Sequence, residues 1–426
     1  MLNILDLTNE EKKYQSSQIN LIASENYPSS SILELQGSVW NNKYGEGYPG
    51  KRYYAGNQNT DKLEEEVIRL CLNVFNCENS YSVNVQSLSG SPANSMVYLA
   101  CLNPGDTILS MDLANGGHLS HLHTTSNWNK FFNHVSYNIT NDYKIDINDF
   151  KSKIEEFHPK LVIIGFSSYP KQYEFKQLIT IAHQNNCLVL CDIAHISGLV
   201  AVGAHPSPFV GEDIQTADFV TTTTHKTFRG PRGALIFAKK NIPEYSFLEK
   251  SPIELINKTV FPGTSGGPHF ATIAGIGRAS QEILGQENYD DNIPYDVYIN
   301  NILLNIKALE SGLVQEGIEI VTPSENHLTL IKLPDNTDSL KIQKLLESHG
   351  IITNRNLIPF DTKSAWKPSG LRLGSPALTS RGANEDDFKK IGIFIGQIIN
   401  DNLNEEEFLL FKTKLFEAIK NPLYFD

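Results

Sequence analysis

The stretch "DFVTTTTHKTFRGPRGALIFA", residues 218–238, decides the fold. A β-branched run, "DFVTTTT" (Asp218–Thr224), ends in a histidine and a lysine. A glycine- and arginine-rich turn then leads at once into a second apolar run, "GALIFA" (Gly233–Ala238). The turn is too short to hold a crossover helix, so the second strand is expected to run antiparallel to the first. Upstream, "KLVIIGF" (Lys160–Phe166) and "CLVLCD" (Cys187–Asp192) read as short buried strands, with the helical pattern "EFKQLITIAHQNN" between them. Strands alternating with helices predict an α/β domain whose mostly parallel sheet is covered on both faces. Ligands bind such sheets beyond the carboxyl ends of the strands. Ser167, Asp192 with His195, and Lys226 all follow strand ends, so they are expected to open onto one cleft.

The rest of the chain sets the limits. Its 426 residues are comfortable for two domains. After about residue 270 the pattern changes to long helices such as "DVYINNILLNIKALESGLVQEG", then to strands "HLTLIKL" and "GIIT". The expected division is an N-terminal arm over 1–35, a large domain over 36–268 and a smaller α+β domain over 269–426. A net charge of -12 argues against wrapping a nucleic acid backbone. Five cysteines, none in a C-x-x-C pair, fit a reducing, cytoplasmic setting better than disulfides or a zinc site. The N-terminus turns polar too early for a secretory signal, and no apolar run approaches the roughly 18 residues a membrane span needs.

Lysine, carboxylate and sheet edge together suggest a chemistry. A lysine at a strand end can form a Schiff base with a carbonyl cofactor. A carboxylate on the same edge can pair with a pyridinium nitrogen, which is the protein's part in making pyridoxal phosphate an electron sink. "SLSGSPANSMVYLA" (Ser87–Ala100) supplies a small-residue turn before a helix, and such a helix start suits a phosphate. "NGGHLSH" offers His118 and His121 as rings for stacking. Each feature alone is common at strand and helix ends; the combination is sharper.

At this point the chain resembles the serine hydroxymethyltransferase family. The motifs that carry the resemblance are "LIASENYPS" (Leu21–Ser29), "KYGEGYPGKRYYAG" (Lys43–Gly56), "SGSPAN" (Ser89–Asn94), "GGHLSH" (Gly116–His121), "DIAHISGLVA" (Asp192–Ala201), "TTTTHKTFRGPRG" (Thr221–Gly233), "FPGTSGGP" (Phe261–Pro268) and "SGLRLGSPA" (Ser369–Ala377). They stand in order over nearly the whole chain. The resemblance implies the fold-type I, aspartate aminotransferase-like architecture and an enzyme that uses pyridoxal 5'-phosphate. It would interconvert serine and tetrahydrofolate with glycine and 5,10-methylenetetrahydrofolate. It also implies a homodimer with shared active sites, or a dimer of dimers.

Residue by residue, the resemblance implies that Lys226 holds the cofactor, with His225 and Thr223 shaping the site. Asp192 would pair with the ring nitrogen, His195 lie near the phenolic oxygen and His118 stack on the ring. Ser89, Gly90 and Ser91 would bind the phosphate, and Ser167 lie beside the cofactor. Arg372 and Ser24 would take the substrate carboxylate. Tyr44, Glu46 and Tyr54 would come from the partner subunit, with Glu46 handling a proton near the hydroxymethyl group. Leu113, Gly117, His118, Leu119, Asn356, Ser364, Ala365 and Trp366 would line the folate pocket.

The chain departs from the family pattern around that pocket. Ser87 and Leu88 precede the phosphate turn, Asn115 stands where a histidine is usual, Leu357 replaces a serine, Trp366 replaces a phenylalanine and Pro368 a threonine or serine. Trp366 is expected to crowd the folate site, since overpacking a fitted site costs about 1–3 kcal/mol. Two enzymatic readings therefore stand: a folate-dependent hydroxymethyltransferase, and a folate-independent pyridoxal-phosphate aldolase or transaldolase acting on β-hydroxy amino acids. A catalytically silent homologue is a third, and the intact set of Lys226, Asp192, His118 and Arg372 argues against it.

Overall fold

Seven short runs pair into one sheet in the computed structural model, which describes residues 3–240, 251–290, 292–335, 337–364 and 366–419. In chain order the strands are β1 (Tyr81–Asn84), β2 (Thr107–Met111), β3 (Asn133–Tyr137), β4 (Leu161–Gly165), β5 (Leu188–Asp192), β6 (Phe219–Thr223) and β7 (Ala234–Lys239). Their spatial order is β1-β7-β6-β5-β4-β2-β3. β2 to β6 all run parallel to one another, whereas β7 is antiparallel to both β6 and β1. The short turn after Lys226 thus has the consequence its length dictates. β4, β5 and β6 are buried at every position, as strands covered on both faces must be.

Helices α1 (Gln58–Val74), α2 (Gly90–Cys101), α3 (Ile147–Phe157), α4 (Phe175–Gln184) and α5 (Phe270–Ile283) accompany the sheet. Alternate strand residues, Leu161 and Ile163, Leu188 and Leu190, Ala234 and Ile236, form one apolar face. Ala93, Met96 and Val97 of α2 pack on that face. Burying one such large side chain contributes about 1.5–3 kcal/mol. The packing therefore fixes where the N-terminus of α2 points its backbone.

The chain divides into two compact units. The larger comprises Ser31–Ser167 and Gln172–Glu287; the smaller comprises Met1–Ser30, Ser168–Lys171 and Asn288–Asp426. These borders differ from the expected 1–35, 36–268 and 269–426, for two reasons. Ile19–Asn20 pairs in parallel with Ile351–Ile352, which carries the N-terminal residues into the smaller unit. α5 packs along α1, where Cys71 Sγ lies 3.6 Å from Ser280 Oγ, which keeps residues 270–283 in the larger one. The smaller unit has an antiparallel sheet of β8 (Glu319–Ile320), β9 (Leu328–Lys332), β10 (Asn354–Asn356) and β11 (Gly370–Gly374), in the order β8-β9-β11-β10. Its core joins Ile306, Leu309 and Leu313 of α6 (Tyr295–Gln315) to Phe388, Ile391 and Ile395 of α7 (Glu385–Ile399). Among the described residues no helix is long and apolar enough to cross a membrane.

One contact makes the fold pH-dependent. His183, in the last turn of α4, donates from Nδ1 to Ile214 O (2.9 Å), and its Nε2 lies 3.0 Å from Asp218 Oδ2. Two acceptors face the two ring nitrogens, and only the charged ring donates to both. Burial opposes that charge, but the hydrogen bond and charge of Asp218 outweigh it and push the His183 imidazole above its ordinary value of 6.5. A raised folded-state pKa stabilises fully below the unfolded value and loses its contribution as pH rises through the folded one. His183→Gln is therefore expected to cost about 1.5–3 kcal/mol in mild acid. The gap in urea midpoints between the two proteins should narrow as pH rises above neutrality. A gap that widens toward alkaline pH would contradict this.

Candidate active site

The carboxyl end of the larger sheet carries a connected set of polar side chains. The parallel register sets Gly165, Asp192 and Thr221 side by side across β4, β5 and β6. Asp192 ends β5 and is buried. Its Oδ2 accepts from Asn94 Nδ2 at 2.8 Å and lies 3.0 Å from His121 Nε2, and its Oδ1 accepts from Ala194 N at 3.0 Å. Burial alone would raise its pKa. The hydrogen bond and charge of His121, with the Asn94 amide, outweigh burial and hold the carboxyl well below the usual carboxylate range. At neutral pH, Asp192 is a buried anion at the sheet edge.

Lys226 lies three residues beyond β6 and is buried, 9% exposed. Thr224 N donates to Gly233 O (3.1 Å), Gly230 N to Thr224 O (2.6 Å) and Thr224 Oγ1 to Pro231 O (2.6 Å), which closes the turn that holds the lysine. Thr227 Oγ1 donates to His195 O (2.9 Å) and accepts from Gly198 N (3.1 Å). Thr223 Oγ1 lies 3.5 Å from Ala194 O. The lysine segment is thereby stitched to the segment that follows Asp192, and His195 is brought in with it. Burial, then the charges of Arg232 and Lys226, push the His225 imidazole down to about 3, so it is neutral at physiological pH. Its Nδ1 is buried without a hydrogen-bond partner among the described residues.

The His118 turn is built from below. Ser167 N donates to Gly116 O (2.8 Å) and Ser167 Oγ to Gly117 O (2.7 Å), so Ser167 acts on the turn that presents His118. A side chain at position 117 would run into the Met111 carbonyl, which is why only glycine fits there. His118 Nδ1 lies 2.7 Å from Ser120 Oγ, and its ring centroid is 5.5 Å from that of His121. Leu113 opens the short helical turn over residues 113–115, and Leu119 is 54% exposed. Ser89 precedes α2 with extended backbone and no capping bond from its own side chain. The first-turn N–H groups of Gly90 and Ser91 are thus available to an anion.

The glycine-rich aromatic loop forms its own cluster. Tyr44 OH and Glu46 Oε1 are 3.0 Å apart, and the Tyr44 and Tyr54 rings meet edge to face at 5.0 Å. Glu46 pushes the Tyr44 hydroxyl up from its ordinary value. Arg52 holds this loop in shape. Its Nη1 donates to Gly45 O (3.1 Å) and Gly47 O (2.8 Å), the carbonyls on either side of Glu46, while its other nitrogens bind Asp61 (2.8 Å) and Glu64 (2.5 Å). Tyr44, Tyr53 and Tyr54 remain exposed.

In the smaller unit, Arg372 on β11 donates from Nε to Asn354 Oδ1 (3.1 Å), its register partner on β10. Burial lowers its guanidinium to about 10, still charged at neutral pH. Gly374 N donates to Leu21 O (2.8 Å), and a side chain at 374 would strike Ala23. That close approach brings the segment bearing Ser24 alongside the strand of Arg372. Asn356 lies on β10, and Ser364 is exposed. Ala365 lies outside the described residues. Trp366 is 83% exposed. Its carbonyl is held by Arg355 Nη1 at 2.8 Å.

The sequence reading missed Asn94, Ser120, Thr221, Asn354 and Arg52, and offered His121 only as a ring for stacking. Asn94 carried a faint signal, a polar residue on the sheet-facing side of α2, one position from the buried Ala93.

Comparison with known proteins identifies the family. The family model described as serine hydroxymethyltransferase matches residues 2–395. The chain is 43% identical over 400 residues to a serine hydroxymethyltransferase of Desulfotalea psychrophila, covering 93% of this chain and 88% of that one. It is 42% identical over 411 residues to one of Borrelia duttonii, covering 95% of each. It is 40% identical over 406 residues to one of Methanosarcina barkeri, covering 95% and 93%. With a buried anion and a lysine on the edge of a mostly parallel sheet, and with relatives matched over nearly full length, the chain belongs to the serine hydroxymethyltransferase family of fold-type I, pyridoxal-phosphate-dependent transferases.

Proposed function

We propose that this protein moves a hydroxymethyl group between serine and glycine, with pyridoxal phosphate held on Lys226 and tetrahydrofolate as the acceptor. The observation that carries the reading is the buried, ionised Asp192, held by Asn94 and His121 one strand away from the segment that ends in Lys226. The residues fit the cofactor: an anion for a ring nitrogen, a lysine, an uncapped helix start for a phosphate, and an imidazole for the ring face. When bound, pyridoxal phosphate supplies a carbonyl for an amine and a ring that takes up the electron pair left as the Cα–Cβ bond breaks.

The chain's own residues supply the rest. The Asp192 carboxylate keeps a proton on the ring nitrogen, and the N–H groups of Gly90 and Ser91 with the hydroxyls of Ser89 and Ser91 hold the phosphate. His118 supports the ring face, and Thr223 and His195 border it. The neutral His225 neighbours the Lys226 amine without adding charge to it. The Arg372 fork and Ser24 grip the substrate carboxylate and orient the bond to be broken, which lowers the entropic part of the barrier. Glu46 takes the proton of the serine hydroxyl, and Tyr44, bonded to it, holds that carboxyl in place. Leu113, Gly117, Leu119, Asn356, Ser364, Ala365 and Trp366 are the residues that would hold the folate.

A second copy of the chain completes each site in this reading. The support is the exposure of Tyr44, Tyr53 and Tyr54 on a loop that is otherwise firmly built. The small molecules it handles, its cysteines outside any disulfide and its net charge of -12 suit the cytoplasm. Two measurements test the assignment. Borohydride treatment of the purified protein should fix the cofactor on Lys226, and an adduct on another lysine would overturn that role. Glycine should form from serine at a rate that depends on tetrahydrofolate. An equal rate without it would replace the transferase with a folate-independent aldolase.

A further inference from the structure

We propose that Asn94, Ser120 and Thr221 are positioning residues whose one-way hydrogen bonds fix the Asp192 carboxylate and lock His118 as its Nε2–H tautomer. The inference rests on the reading of Asp192 and His118 given above, but its geometry is independent of any ligand. Asn94 is fully buried, and its carboxamide has three partners: Thr221 Oγ1 at 2.6 Å, Asp192 Oδ2 at 2.8 Å and Ser120 Oγ at 3.0 Å. Ser120 Oγ also lies 2.7 Å from His118 Nδ1.

The direction of every proton follows from either end. An ionised carboxylate only accepts, so the Asn94 amide nitrogen must face Asp192. The amide oxygen then faces Thr221, whose hydroxyl has to donate. The second N–H of Asn94 points at Ser120 Oγ, which accepts it and gives its own proton to His118 Nδ1. The other end yields the same answer. Ser120 N is a backbone donor 3.2 Å from His118 Nδ1, so that nitrogen must accept. The ring proton of the neutral imidazole therefore sits on Nε2. Two independent constraints agree, and Tyr98 OH, donating to Ser120 O at 2.9 Å, holds the middle of the chain.

The arrangement ties two groups on different elements to one amide. If the Asn94 carboxamide turned over, an oxygen would face the Asp192 carboxylate and the His118 end would lose its donor. The acceptor-only Asp192 carboxylate forbids the turn, and the Thr221 hydroxyl satisfies the orientation so imposed by donating to the amide oxygen. That gives a β-branched residue in the middle of β6 a positional task as well as a packing one.

The test uses the holoenzyme with 15N-labelled histidine, His118 being assigned from the signals lost in His118→Phe. The wild-type spectrum should show His118 protonated at Nε2 and bare at Nδ1. Thr221→Val keeps shape and burial but removes the donor, and it should raise the dissociation constant for pyridoxal phosphate about tenfold, the ratio that about 1.4 kcal/mol produces. Asn94→Leu should do at least as much, and Thr221→Ser should restore tight binding. A purely structural role would instead lower the melting temperature while leaving cofactor affinity and the His118 signals as they are. Protonation of wild-type His118 at Nδ1 overturns the proposal, as does unchanged cofactor affinity in both Thr221→Val and Asn94→Leu. Failure of borohydride to label Lys226 would strike the cofactor reading instead, and the tautomer is still read on the same protein.

Discussion

Asp192→Asn is expected to fold and to turn over serine roughly 160- to 5,000-fold more slowly. The side chain is isosteric, and its amide oxygen still accepts from His121 and Asn94, while the bond from Ala194 N is lost because the new NH2 cannot accept it. What disappears is the buried charge. Removing one member of a buried charged pair costs about 3–5 kcal/mol. If the cost falls on the transition state, each 1.36 kcal/mol is about tenfold in rate. Asp192→Glu should recover only part of the activity, because a longer carboxylate cannot keep Oδ2 against both Asn94 and His121. The measurements are kcat for serine cleavage and the melting temperature of the same preparations. A variant that keeps more than about a tenth of the activity would remove Asp192 from the centre of the mechanism.

The fold was legible where the chain is locally regular. The strands from Leu161 to Lys239 were read within one or two residues, because buried parallel strands are short unbroken apolar runs and the helix between β4 and β5 has a clear period. Even the antiparallel step into β7 followed from loop length. The smaller unit was harder. Its first strand, Ile19–Asn20, is two residues long and finds its partner at Ile351–Ile352, and no local pattern reports a pairing over that separation. α5 looks like the opening of a second domain, yet it packs on α1 through small residues such as Gly277 and Ser280, which hydropathy barely registers.

The site was more legible in its charged members than in its neutral ones. Lys226 and Asp192 could be singled out because a charge at a strand end demands a reason, and Arg372 because the motif around it resembles the family's. Asn94, Ser120 and Thr221 could not, since a neutral hydroxyl or amide is satisfied in many ways and only coordinates say which.

Arg381→Ala is expected to loosen the N-terminal helix and to cost about 2–5 kcal/mol of stability in the smaller unit. Arg381 is 1% exposed, a rare setting for a guanidinium. Its Nη2 donates to Ser16 O (2.7 Å) and its Nη1 to Gln15 O (3.4 Å), the last carbonyls of the helix Ile4–Ser16. The guanidinium carbon also lies 5.3 Å from the Phe416 ring centre and 5.9 Å from that of Tyr27. A cation at a helix C-terminus is favourable, and here it satisfies acceptors the helix itself cannot. The helix has no buried residue of its own, and Ile4 and Leu5 are exposed, so apolar packing does little to anchor it. Its docking therefore leans on this one side chain. Hydrogen exchange over residues 7–16 should quicken roughly 10- to 150-fold in Arg381→Ala, the range that about 1.5–3 kcal/mol per charged hydrogen bond implies. Arg381→Lys should fall between, since an ammonium on a flexible stem cannot match a planar fork aimed at two carbonyls. Exchange in the helix at the wild-type rate would show that the anchor lies elsewhere.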